Sequence, residues 1–241
     1  MAFAESMART SRTDSTFFPA ISAVMALVVF TGFSRSFFLK PVFHAPPELS
    51  VLMIVHGLVF TSWMAVLIAQ TGLVAANRRN THRKLGTAGI GIAAAMLLFG
   101  PWLAIDALQR GFSPIAGLPP SVFFVVPVFD MVTFAVLIAA GFVYRAQSAW
   151  HKRFMILATA SILGAAIARF PFDFIANGGP PVFFGLTDLF IVAVALYDYA
   201  TLRRIHPATL WAGGTIVFLQ AFRLWLGGTE QWQAFAALFS G

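Results

Sequence analysis

Residues 121–144 read SVFFVVPVFDMVTFAVLIAAGFVY, a run whose single formal charge is Asp130. About 20 apolar residues suffice for an α-helix to cross a hydrocarbon core of about 30 Å, so this stretch has lipid as its natural solvent. The whole chain shares that character. Of its 241 residues, 59% are hydrophobic, 10% are charged and 27 are Phe, whereas a soluble domain carries about 25% charge. The fold class that follows is all-α: a polytopic membrane helix bundle.

Working outward from 121–144, six further segments of similar length and character can be drawn, at 17–34, 51–76, 84–104, 153–170, 182–202 and 208–227. About seven transmembrane helices are therefore expected, forming one bundle over 17–227. A polar N-terminus, 1–16, precedes it and a C-terminal tail, 228–241, follows. The first segment reads as a retained anchor, because the residues after it offer no small-residue cleavage site. Breakers mark the boundaries: Pro41, Pro46 and Pro47 after the first span, Pro119 and Pro120 before the fourth, Gly178 to Pro181 before the sixth, and Pro207 at the start of the seventh. Such clusters disrupt helix interiors and are tolerated between spans.

Charge sets the orientation. With the N-terminus inside, Arg9, Arg12, Arg78, Arg79, Arg83, Lys84, Arg145, Lys152, Arg153, Arg203 and Arg204 face the cytoplasm, eleven of the sixteen Lys and Arg. This positive-inside bias places the N-terminus in the cytoplasm and the tail outside. The formal charge of +7 thus reads as topology signals in short clusters, and no nucleic acid is expected as a partner. The chain contains no cysteine, which excludes disulfides, thiolate metal sites and cysteine nucleophiles. It also has no P-loop, dinucleotide fingerprint, His-Glu-x-x-His helix or Gly-x-Ser-x-Gly elbow.

Ionisable groups within spans cost about 2.5–3.5 kcal/mol on insertion scales and need a partner, a cavity or a role. Three acids qualify. Asp130 lies near mid-depth with no basic residue evident at its level. Asp188 and Asp198 lie in the outer half and near the cytoplasmic end of the sixth span, where Arg169 and Arg203 are the natural ion-pair partners. In the second span His56, Trp63 and Gln70 recur every seven residues, about 10 Å apart on one helix face. That face is expected to look into the bundle. Small residues four apart, Thr87-Gly91-Ala95 and Ala160-Gly164-Ala168, are expected to let helices approach closely.

The five histidines divide by depth. His82, His151 and His206 stand at the cytoplasmic starts of the third, fifth and seventh spans, with His44 and His56 in the outer half. Neutral imidazoles converging from different helices are what metal or haem ligation requires. His82, His151 and His206 are the candidate metal ligands, and His82, His151 and His56 the candidate cofactor ligands. For His206 the plainer reading is a helix start before a first-turn proline. Asp130, Asp188, Asp198, Gln70 and Arg169 are the candidate proton-relay or ligand residues, with Arg169 and Lys40 placed to meet an anionic or quinone-like head group.

The residues Phe37, Lys40-Pro41, His56-Gly57, Thr61-Ser62-Trp63, Gln70 and His82-Arg83-Lys84-Leu85-Gly86, followed by His151-Lys152-Arg153-Phe154-Met155, Thr187-Asp188-Leu189 and His206-Pro207-Ala208-Thr209, resemble a group of uncharacterised bacterial multi-pass membrane proteins over most of the chain. The resemblance implies seven spans in a bacterial inner membrane and transfers no catalytic residue. Histidine placement alone carries a looser likeness to b-type membrane cytochromes of the cytochrome b561 kind, which implies haem held between histidines on facing helices. This chain departs from that pattern in having its cytoplasmic histidines at helix starts and His44 in a loop.

Two functional expectations follow. The first is membrane redox chemistry with haem b or a metal ion at His82 and His151, and with a quinone or small apolar molecule near His56. The second is a proton-coupled carrier or sensor centred on Asp130, with the His56-Trp63-Gln70 face lining the route. A non-catalytic assembly subunit, working in an oligomer, is the third.

Overall fold

The structure, a computed structural model, describes residues 2–44, 48–115 and 117–240; the side chains of 2–12 and of Ala176 lie outside that description. Pro46 and Pro47 therefore fall outside the described residues, as do the side chains of Arg9 and Arg12. The chain folds as α1 (Ala2–Phe33), a π-helical turn (Ser34–Phe38), α2 (Lys40–Phe43), α3 (Val51–Ala75), α4 (Arg79–Gln109), α5 (Pro120–Phe123), α6 (Val125–Val143), α7 (Ser148–Ser161), α8 (Gly164–Ile167), α9 (Asp173–Leu202), α10 (Pro207–Gly227) and α11 (Glu230–Ala237). Among the described residues there is no strand, as an apolar solvent favours, since a helix satisfies its own backbone donors and acceptors.

Five helical stretches are long and apolar enough to cross a membrane: Thr13–Phe38, Val51–Ala75, Arg79–Gln109, Pro120–Val143 and Asn177–Leu202. The remaining two expected spans differ from these for physical reasons. The fifth is split into α7 and the single turn α8 around Ile162 and Leu163. The seventh, α10, carries Gln220 and Arg223 on its buried side, which lowers its apolarity.

Several boundaries depart from the sequence reading. Gly178 to Pro181 was expected to separate helices, yet α9 begins at Asp173 and kinks through this stretch. Gly179 takes φ 64° and ψ −162° there, a conformation that glycine reaches without steric cost, and the two prolines that follow have no backbone N–H to contribute. The polar N-terminus is helical from Ala2. The tail holds α11, capped by Thr229, whose hydroxyl accepts from Trp232 N, and Trp232 Nε1 donates to Ser121 O at 2.8 Å.

The bundle is organised around α7. From Arg153 to Ser161 only Met155 escapes full burial, the polar Arg153 and Thr159 being hydrogen-bonded to neighbouring helices. Helices α1, α6, α9 and α10 pack against it. Trp63 of α3 reaches it too, with Nε1 donating to Thr159 Oγ1 at 3.1 Å. The closely packed small residues are not all the expected ones. On α4 the buried stripe is Gly89, Ala93, Met96 and Gly100, whereas Gly91 has open space where a Cβ would sit. The tightest crossing joins Gly32 of α1 to the backbone of Ala166 in α8. Leu27, Phe30, Leu58, Leu98, Leu196, Trp211 and Phe218, all exposed apolar side chains, form the outward surface that lipid would cover.

Candidate functional site

The polar residues gather in three layers, two of them where helix ends meet and one deeper along the helices. The layer formed by the ends of α3 and α6 and the starts of α4 and α7 holds His82 and His151. Their ring centres lie 6.3 Å apart with planes at 89°, so the two imidazoles singled out from sequence do meet. His151 Nδ1 lies 2.8 Å from Gly141 O. A carbonyl can only accept, so Nδ1 carries the hydrogen, and in the neutral ring Nε2 has the lone pair. Beside them, His82 Nδ1 and Gln70 Oε1 are buried with no hydrogen-bond partner. Gln70 faces α4 across Gly86, where a Cβ would stand 3.4 Å from its Nε2.

His206 does not join this pair. Its Nδ1 accepts from Ala208 N at 3.0 Å and caps α10, and its ring sits edge-on to Trp150. Burial, and then the positive charge of Arg153, hold its ring below the ordinary histidine value. Among the described residues no three His, Asp or Glu side chains converge as metal ligands.

A second set binds α7, α9 and α10 together. Asp198 was expected to pair with Arg203; its partner is Arg153. Arg153 Nε donates to Asp198 Oδ1 at 2.9 Å, and Nη2 donates to the same oxygen. Asp198 Oδ2 accepts from His206 N at 3.0 Å and Thr209 Oγ1 at 2.5 Å. Arg203 ends α9 in a left-handed conformation with φ 56° and points away from the bundle, while Arg153 is carried inward by the central helix. Next to this set, Asp14 of α1 accepts from Lys152 and from the Tyr197 hydroxyl.

The third layer lies deeper. Asp130, expected to lack a basic neighbour, forms an ion pair with Arg223 of α10. Arg223 lies inside the bundle, 5% exposed; it also donates to Val126 O at 3.2 Å and stacks over Phe184 at 4.3 Å. Asp188, expected opposite Arg169, accepts from Gln220 Nε2 at 2.9 Å. Arg169 instead stacks over Phe33 at 4.6 Å and donates to Ala165 O. His56 stacks on Phe60 at 4.0 Å, with Nδ1 3.4 Å from Phe99 O. The His56-Trp63-Gln70 face thus turns inward as its spacing implied.

Sequence reasoning missed Arg153 and Arg223 as interior cations. Arg153 is the first residue of the expected fifth span and Arg223 the sixteenth of the seventh, positions that read as orientation markers. The fold and these layers define an all-helical chain compatible with an integral membrane protein. No family model matches it, and no curated protein or solved structure is significantly similar to it.

Proposed function

We propose that this protein spans a bacterial inner membrane seven times, with its N-terminus in the cytoplasm, and holds haem b between His82 and His151 for membrane redox chemistry. The observation that carries this reading is the His82–His151 pair, with ring centres 6.3 Å apart. Two imidazole nitrogens bound to one metal atom stand about 4 Å apart, given bonds of about 2 Å, which puts the ring centres about 6 Å apart. His151 is oriented by its Nδ1–H to the Gly141 carbonyl, the arrangement that presents Nε2 as a ligand. His82 Nδ1 and Gln70 Oε1 leave buried polar capacity beside the pair.

The ligand set favours haem over a bare cation. A structural metal ion draws on about four protein ligands, whereas a porphyrin brings four nitrogens of its own and asks for two axial side chains. When bound, it would supply one-electron chemistry. The chain's part is to fix the two rings and to place His56 and Arg169 near the opposite rim, where a quinone or similar small molecule would lie. Supporting seven spans, α7–α8 and α10 run among the five apolar stretches and pack against them.

The test is an absorption spectrum and metal assay of the purified protein. A reduced-minus-oxidised haem signal is expected, lost in His82→Ala and His151→Ala and kept in His206→Ala. A colourless, metal-free preparation that still functions in cells overturns the reading and leaves the assembly-subunit alternative.

A further inference from the structure

The layer around Arg223 has an uneven charge count. Asp130, Asp188 and Arg223 lie about 20–24 Å along their helices from Val143, Leu202 and Pro207, taking 1.5 Å per residue, and so share one level. Two carboxyls face one guanidinium. Arg223 is committed to Asp130, and Asp188 receives a neutral amide, Gln220 Nε2 at 2.9 Å. Yet Arg223 Nε is buried with no acceptor, although the arginine is near enough for its charge to act on Asp188. A charged carboxylate would draw that cationic donor in preference to an amide, because charge-assisted hydrogen bonds are roughly twice as strong. The other elements packed on α9, namely α7, α8 and α1, bring no charged group to Asp188.

We propose that Asp188, half-buried on α9, is a proton-binding site, carrying a proton on Oδ2 while Oδ1 accepts from Gln220. The proton comes from water and converts the carboxylate to a neutral carboxyl, so that the two acids and one arginine sum to zero charge. Release returns the proton to water, and Arg223 Nε then becomes the donor for the charged Asp188. In that state Asp130 and Asp188 share one guanidinium, through Nη1 and Nε respectively. The proposal is independent of the histidine pair.

Infrared spectroscopy of the full chain in lipid nanodiscs, with and without isotope-labelled aspartate, tests it. Expected at neutral pH is a protonated-carboxyl C=O band that shifts on aspartate labelling and disappears in Asp188→Asn. Gln220→Leu, which removes the amide donor to the carbonyl oxygen, should move that band to higher frequency, and it serves where Asp188→Asn does not fold. Lack of the band in the unmodified chain, its survival in a folded Asp188→Asn, or no displacement in Gln220→Leu overturns the assignment. The haem spectrum should be unaffected in either variant.

Discussion

Arg153 and Asp198 form an ion pair whose side chains are 2% and 0% exposed, and the carboxylate, on α9, accepts from four donors supplied by α7 and the start of α10. Breaking such a pair from one side leaves a charge buried without compensation, at a cost of about 3–5 kcal/mol. Asp198→Ala is therefore expected to lower the thermal midpoint in detergent sharply. Arg153→Met combined with Asp198→Leu should recover a large part of the loss, because no charge is then stranded. Equal midpoints for the single and double variants would contradict this.

Among the described residues, the indole of Trp63 makes the one side-chain hydrogen bond from α3 into the central helix. Trp63→Phe keeps most of the ring volume and removes the donor to Thr159, for a loss of about 1 kcal/mol. Trp63→Ala leaves a cavity and should cost about 3–5 kcal/mol. Denaturation curves for the two variants should separate accordingly, and Thr159→Val should be close to additive with neither, since the pair shares one bond.

At Gly32 a Cβ would run into the carbonyl, carbonyl carbon and Cα of Ala166. These are backbone atoms, so no side-chain rotation relieves the clash. Gly32→Leu should separate α1 from α8 and lower stability by at least about 1–3 kcal/mol. Ala166→Gly should fail to rescue it in the same melting assay, and rescue would show that the crossing is looser than the structure has it.

His206 gives the protein an acid-sensitive cap. Its folded value is lowered from 6.5, so the neutral ring is the folded form. The contribution is whole above the unfolded value and declines as pH falls through it toward the lower folded value. Protonation also removes the Nδ1 lone pair that accepts from Ala208 N. Melting midpoints recorded from neutral to mildly acidic pH should fall over this window, and His206→Asn, which retains a capping oxygen, should flatten the response.

Much of this architecture could be read from pattern. The seven-residue repeat put His56, Trp63 and Gln70 on one face, and Pro207 marked the start of α10, because both depend on local helix geometry. The ion pairs could not be read that way. Asp198 lies five residues before Arg203 in the chain, yet its partner is Arg153, brought to it by the way α7 crosses α9. Helix α11 escaped notice because its eight residues are short and owe their place to Trp232 docking on Ser121 O. The kink at Gly179 was mistaken for a boundary, since Gly-Pro-Pro ends most helices and here only bends one.

Asp14 binds Lys152 and Tyr197, 138 and 183 residues further along the chain. The carboxylate on the helix made first therefore receives its second partner, Tyr197, only when the last third of the protein has been synthesised. Until then α1 lacks its tie to α9, and the fold closes like a clasp when the late helices arrive. Chains truncated before α9 should leave that end unlatched and open to proteases on the side where Asp14 stands.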